Sequence, residues 1–162
     1  MGSAILQTGV PREELFITSK LWNSEYGYDR TLRAYDKSLS ELNLEYLDLY
    51  LIHWPAIGKE GPGNNTETWR AFEKLYNEGR VKAIGVSNFK PHHLEKLLEN
   101  ASVVPMVNQI EFHPGQMQAE TTDFCSRHNI LIEGWSPLGT GKMLTNPQLK
   151  EIAGHYGKTV AQ

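Results

Sequence analysis

The 162-residue chain is 40% hydrophobic and 22% charged and has a formal net charge of −3, values that are typical of a soluble globular domain. Because its charge is mildly acidic and its Lys and Arg residues are scattered, we expect neither a nucleic-acid partner nor an anionic membrane. Cys125 is the only cysteine, so no internal disulfide can form. No apolar stretch is long enough to cross a bilayer. We expect one domain over residues 1–162, located in the cytoplasm.

Short apolar segments alternate with longer segments of helical periodicity along the chain. The apolar segments have the length and β-branched content of buried strands, and they span residues 14–21, 48–54, 83–89, 104–112 and 130–138. The other segments place apolar residues three and four apart. They predict helices over residues 29–42, 66–79, 90–101, 118–129 and 146–157.

Helix-terminal residues support these boundaries. Asp29 and Thr66 are candidate N-caps, because their side-chain oxygens can accept a backbone N–H. Pro91 suits a first helical turn, and Gly79 suits a helix C-terminus. The alternation of strand and helix then predicts an α/β fold with a parallel sheet, since parallel neighbours need a long right-handed crossover.

Polar and aromatic residues stand at the carboxyl end of every predicted strand. They are Lys20 with Trp22, His53 with Trp54, Ser87 with Asn88, Gln109 with Glu111 and His113, and Trp135 with Ser136. Each pair alone has a structural explanation, but in a (β/α)₈ barrel the carboxyl ends of the strands build the active site. The five clusters together therefore predict a binding site. The Gly/Pro/Asn-rich loop 56–66 follows His53, and we expect it to cover a ligand.

Five segments identify a family resemblance. In chain order they are "ELFITSKLW", "YLDLYLIHWP", "GRVKAIGVSNF", "VVPMVNQIEFHP" and "GWSPLG", and together they closely resemble the aldo-keto reductases from about residue 2 to the end. The resemblance implies that an aldehyde or ketone is reduced to an alcohol by hydride from NADPH, with NADH as the alternative cofactor. It also implies a TIM barrel, which takes about 250 residues. We therefore expect a single incomplete barrel domain of about five parallel strands with crossover helices.

By this resemblance, Lys20 and His53 are catalytic residues. An ammonium group beside a tyrosine favours the phenolate that remains after proton transfer, which is the role implied for Lys20. A neutral imidazole can donate a hydrogen bond to the substrate carbonyl and stabilise the developing negative charge, which is the role implied for His53. Trp22 and Trp54 match apolar walls of the pocket for the small carbonyl substrate.

The resemblance also assigns the cofactor contacts. Ser87, Asn88 and Gln109 match positions that bind the nicotinamide carboxamide, and Trp135 matches the aromatic residue that stacks on the nicotinamide ring. Many members have Tyr there, but stacking needs only a flat face. Residues that match the pyrophosphate-binding turn are Ser136, Leu138 and Gly139.

Parts of the family pattern fall outside this sequence. The family's catalytic Asp and Tyr lie upstream of "ELFITSKLW", and its eighth strand and adenosine-phosphate segment lie beyond the position of Gln162. We therefore expect impaired activity and weak cofactor binding from a 162-residue chain. Tyr26 and Tyr28 follow Lys20 and offer phenols, but similar loop aromatics accompany the catalytic Tyr in the family. The strands of Lys20 and Trp135 would be open sheet edges, which predicts self-association.

The sequence raises three alternatives to a reductase. A non-catalytic binding module derived from the same barrel remains open. A glycoside hydrolase would use Glu111 and Glu133 as its carboxylate pair, but nothing else in the sequence points to sugar chemistry. The segment "GTGK" is not a phosphate-binding P-loop, because Met143 follows its lysine. We predict no metal site, since His92 and His93 are adjacent on a helix, should point in different directions and have no third ligand nearby.

Overall fold

The chain forms one five-stranded parallel sheet whose strands follow one another in chain order, in a computed structural model that describes residues 2–56 and 64–162. The strands are β1 (Thr18–Leu21), β2 (Leu47–Ile52), β3 (Val81–Ser87), β4 (Val107–Glu111) and β5 (Leu131–Trp135). The helices are α1 (Gly2–Gln7), α2 (Tyr28–Leu42), α3 (Asn65–Asn77), α4 (Pro91–Leu98), α5 (Ala119–Arg127) and α6 (Pro147–His155). The predicted α/β class and the alternation of five parallel strands with crossover helices are confirmed.

Four of the observed strands are shorter than predicted, with residues lost at one or both ends, whereas β3 keeps its predicted length but begins and ends two residues earlier. The first predicted strand begins only at Thr18, because Arg12–Glu14 forms a turn of 3₁₀ helix ahead of it. Apolar composition marks a buried segment, but it does not show which of its residues reach the backbone ladder. The predicted cover loop 56–66 falls mostly on residues 57–63, which lie outside the described residues.

Two predicted helix caps are wrong and two helix-terminal signals are confirmed. Helix α2 is preceded by Gly27 rather than capped by Asp29, which lies inside its first turn. The N-cap of α3 is Asn64 rather than Thr66, and its side chain accepts the Glu67 N–H at 2.8 Å. Pro91 does open α4, and Gly79 follows α3 with a left-handed φ of 69°. Neighbouring cap-forming residues compete, and the sequence alone does not rank them.

The core lies between one face of the sheet and the helices. All six residues of β2 are buried, and Tyr50 at its centre stacks on Phe72 of α3 with ring centroids 4.7 Å apart. Trp69 extends this stack, and its indole N–H donates to the Val103 carbonyl at 3.0 Å. The helices therefore cover one face of the sheet, which leaves the opposite face for the strand-end side chains. Within residues 2–56 and 64–162, no helix is long and apolar enough to span a membrane.

Candidate active site

The sheet register brings the predicted site residues to one face at the carboxyl ends of the strands. Ser87 pairs with Gln109 across β3 and β4, and Lys20 pairs with Leu51, two residues before His53. Paired residues, and every second residue along a strand, share a face. By this rule the strand-end residues that share the face away from the helices are Lys20, His53, Ser87, Gln109 and Trp135. The face therefore carries an ammonium, an imidazole, a hydroxyl, an amide and an indole.

His53 lies in a partly buried and positively charged environment. Its ring packs edge-on against Trp22, with centroids 5.0 Å apart and an interplanar angle of 67°. Burial lowers the pKa of His53, and the charge of Lys20 lowers it further. An ordinary histidine titrates near pH 6.5, so His53 is neutral at pH 7. A neutral imidazole can donate one N–H to a carbonyl oxygen, as the resemblance requires.

We expect the lowered pKa of His53 to appear in a proton NMR titration of the purified chain. His53 should titrate below about 6.5, and Lys20→Met should raise its pKa without restoring it fully, since burial remains. The neutral form is favoured by folding, so the stability that it contributes is complete above about pH 6.5 and is lost as the pH falls through the folded pKa. A His53 pKa unaffected by Lys20→Met would show that the two groups are not coupled.

A hydrogen-bond network connects the residues predicted to bind the nicotinamide. Asn88 donates from Nδ2 to the His53 carbonyl at 3.0 Å and to Ser87 Oγ at 3.1 Å. Its Oδ1 accepts the Trp135 indole N–H at 2.9 Å. Ser87 in turn donates to the Gln109 carbonyl at 2.8 Å. Asn88 has a left-handed φ of 63°, which asparagine tolerates better than most residues.

Glu133 and Gln109 form a contact that the sequence did not reveal. Gln109 pairs with Glu133 in the β4–β5 register and donates from Nε2 to Glu133 Oε1 at 2.7 Å. Gln109 is 7% exposed, and its Oε1 is buried without a hydrogen-bond partner among residues 2–56 and 64–162. The same register pairs Glu111 with Trp135, so the two glutamates lie at different levels of the face. This arrangement gives the glycoside hydrolase alternative no support.

The turn after β5 holds the residues that match a pyrophosphate site. Ser136 and Gly139 both have left-handed backbones, with φ of 49° and 56°. The Gly139 N–H donates to the Ser136 carbonyl at 2.8 Å, and Leu138 accepts from Met143 at 3.1 Å. A Cβ at Gly139 would lie 3.1 Å from the end of the Met143 side chain. The turn is therefore held by hydrogen bonds within it, and the Gly139 N–H already has an acceptor there.

Trp22 and Trp54 stand open to solvent, as walls of a pocket would. Their exposed fractions are 61% and 44%. Trp54 also accepts, through its carbonyl, the hydroxyl of buried Tyr26, which bonds to Asn23 Oδ1 as well. Burial raises the pKa of Tyr26 to about 12, despite the Trp54 hydrogen bond that lowers it. Tyr26 is therefore a poorer acid than an ordinary tyrosine and a weak candidate for proton donation.

Lys20 and Trp22 also border an open cleft beside β1. The cleft has a volume of about 400 Å³ and reaches α2 through Arg33, Lys37 and Glu41. None of the residues predicted to bind the nicotinamide lines it. The cleft therefore lies beside the sheet edge and apart from the network around Asn88.

The expected geometry of His92 and His93 is wrong. Their Nε2 atoms lie 3.0 Å apart, because His93 turns back to accept the Lys90 N–H on its Nδ1 at 3.1 Å. With Nδ1 accepting, a neutral His93 carries its proton on Nε2, which disfavours metal binding there. Among residues 2–56 and 64–162, no group of three His, Cys, Asp or Glu side chains is placed to hold a metal ion.

Comparisons with known proteins agree on one family. Residues 1–162 match the model of the "Aldo/keto reductase family". Glyoxal reductase of Bacillus subtilis is 54% identical over 162 residues, which are 100% of this chain and 57% of that protein. Methylglyoxal reductase DkgA of Salmonella typhimurium is 42% identical over 100% of this chain and 58% of its own length.

Solved structures give the same result. An aldo/keto reductase from Brucella melitensis superposes with a TM-score of 0.91 at 51% identity, covering 99% of this chain and 60% of that one. A mutant of Gox0644 in complex with NADPH superposes with a TM-score of 0.90 at 46% identity, covering 99% and 56%. The chain thus spans little more than half the length of these proteins.

Proposed function

Because the chain belongs to the aldo/keto reductase family, we propose that the protein containing it reduces small aldehydes or ketones to alcohols with NADPH. The resemblance to this family and the partial TIM-barrel architecture are confirmed. The observation that carries the reaction is the convergence of Lys20, His53 and the Asn88 network at one end of one sheet face. NADPH, rather than NADH, is favoured because a similar protein has been solved with NADPH.

We infer distinct tasks for the residues that would surround the substrate carbonyl. His53, held neutral by burial and by Lys20, would donate its N–H to the substrate oxygen and stabilise the negative charge that forms there. Lys20 would stabilise the conjugate base of the group that gives the proton. Trp22 and Trp54, both largely exposed, would exclude water from the substrate.

The residues on the neighbouring strands suit a nicotinamide. When bound, NADPH supplies the hydride. The buried Oε1 of Gln109, which has no partner among the described residues, can accept an N–H from a carboxamide, and the partly exposed indole of Trp135 offers a flat face. The turn after β5 would lie against the pyrophosphate, and the residues that would contact it are Ser136, Leu138 and Gly139. The names of the similar reductases suggest glyoxal or methylglyoxal as first substrates.

The direct test is NADPH oxidation by a polypeptide that contains residues 1–162, with methylglyoxal as the substrate. Turnover that depends on both reactants would support the proposal. NADPH binding without turnover of any small carbonyl compound would favour the alternative of a non-catalytic binding module.

We expect NADPH to quench the fluorescence of Trp135. Trp135→Phe keeps a flat face for stacking but removes the indole, so most of the quenching should disappear while calorimetry shows only a severalfold weaker affinity. Trp135→Ala removes the face as well, and affinity should fall about tenfold or more. The other tryptophans provide the internal control. Unchanged quenching in Trp135→Phe would place the cofactor elsewhere.

A further inference from the structure

The Gln109 side chain has a fixed orientation, because one of its ends faces a group that can only accept hydrogen bonds. An ionised carboxylate has no proton to donate, so the Gln109 atom 2.7 Å from Glu133 Oε1 must be the NH₂ nitrogen. The Oε1 atom then faces away from Glu133. It is buried and has no hydrogen-bond partner in the described part of the chain, and a buried carbonyl oxygen without a hydrogen bond is costly. The site therefore presents an acceptor that lacks a donor.

We propose that Glu133 is a positioning residue that fixes the Gln109 carboxamide with Oε1 toward the ligand, so that the site selects a ligand group that donates an N–H over a carboxylate. This inference rests on the proposed function, in which that group is the primary amide of the nicotinamide. Without Glu133, the Gln109 amide could rotate and present its NH₂. This group would donate a hydrogen bond to a carboxylate, so the site would no longer prefer an N–H donor. Glu133 thus acts through Gln109 and not by touching the ligand.

Neighbouring contacts leave Glu133 as the group that sets this orientation. Ser87 Oγ and the Asn88 N–H both bond to the backbone carbonyl of Gln109, which fixes the strand but not the side chain. Glu111, on the same face, lies 3.5 Å from His113. Glu111 is therefore a matched control, because it carries the same charge at the same end of the sheet.

The first experiment needs no ligand. The side-chain NH₂ of Gln109, assigned by comparison with Gln109→Ala, should shift in ¹⁵N–¹H NMR spectra when Glu133→Ala removes its acceptor. It should be nearly unchanged in Glu111→Ala and largely retained in Glu133→Gln, whose carbonyl can still accept. An unshifted Gln109 signal in Glu133→Ala would overturn the proposal.

The second experiment compares two ligands by calorimetry, namely NADP⁺ and its nicotinic-acid analogue, in which a carboxylate replaces the amide. The wild-type chain should prefer NADP⁺. Glu133→Lys introduces a donor that turns Gln109 Oε1 toward itself, and the preference should fall by about tenfold or reverse. Glu111→Lys changes the net charge by the same amount. If both variants changed the ligand preference equally, the cause would be the added charge alone, and the proposal would be overturned.

The two experiments separate two failures. If neither ligand binds the full-length wild-type protein that contains residues 1–162, the nicotinamide assignment fails, and the selection of an N–H donor fails with it. In that case the NMR result still decides whether Glu133 orients Gln109. In a Gln109→Ala background, Glu133→Ala should cause no further loss of NADP⁺ affinity, because the pair acts as a unit.

Discussion

Replacing His53 by alanine is expected to lower kcat/KM for carbonyl reduction by about 10²- to 10⁴-fold. Its imidazole is held neutral by burial and by Lys20, so it can donate to the carbonyl oxygen. That hydrogen bond strengthens as negative charge develops on the oxygen, and the loss should therefore fall mainly on kcat and less on KM. The measurement is steady-state NADPH oxidation by a polypeptide that contains residues 1–162 and turns over.

Two variants accompany this measurement. His155→Ala removes an exposed histidine of α6 and should leave kcat/KM within about twofold, as surface substitutions usually do. Lys20→Met should lower kcat by a similarly large factor, and it should also raise the pKa of His53 that the pH–rate profile reports. A His53→Ala protein with near-wild-type kcat would remove the imidazole from the chemistry.

The alternation of strands and helices could be predicted because it depends on local patterns. The run "LYLI" at residues 49–52 is apolar at every position, as a strand buried on both faces requires, and β2 is buried throughout. The clustering of Lys20, His53 and Gln109 also followed from a topological rule, since parallel strands place their carboxyl ends together. These inferences needed the strand order but not the register.

Features that depend on register or on distant partners could not be predicted in the same way. The Gln109–Glu133 hydrogen bond exists because β4 and β5 pair these residues, and a shift of one residue would move them to opposite faces. Trp135 donates to Asn88, which has a left-handed backbone at the end of β3 that the strand pattern does not predict. A more useful sequence signal would have been the alternation of side chains along each strand, because it decides whether Gln109 and Glu133 point to the same face.

Asp48 is a second case in which the sequence showed the strand but not the partners. Its carboxylate is 3% exposed at the amino end of β2, where it accepts the Ile17 N–H at 2.8 Å. Arg12 lies 2.7 Å and Lys82 3.0 Å from its two oxygens. Burial alone would raise the pKa of Asp48, but these partners together hold the pKa below its ordinary value. The carboxylate therefore joins the segment before β1 to β2 and β3.

We expect Asp48→Ala to lower the free energy of unfolding by about 3 kcal/mol, because it removes the acceptor of the Ile17 N–H and the carboxylate that pairs with the partly buried charge of Arg12. Urea unfolding followed by circular dichroism measures this loss. Since folding lowers the pKa of Asp48, its contribution should be complete above about pH 3.9 and disappear as the pH falls through the folded pKa.

The matched control is Asp36→Ala. Asp36 pairs with Arg80 on the surface, where its side chain is 58% exposed, and exposed pairs contribute about 1 kcal/mol or less. Both substitutions remove one aspartate, so the difference between them isolates the effect of burial. If the two variants lost equal stability at pH 7, the Asp48 cluster would be no more than another surface ion pair. If Asp48→Ala instead proves too unstable to purify, Arg12→Met tests the same cluster from the other side, with a smaller expected loss because Lys82 and the Ile17 N–H still pair with the carboxylate.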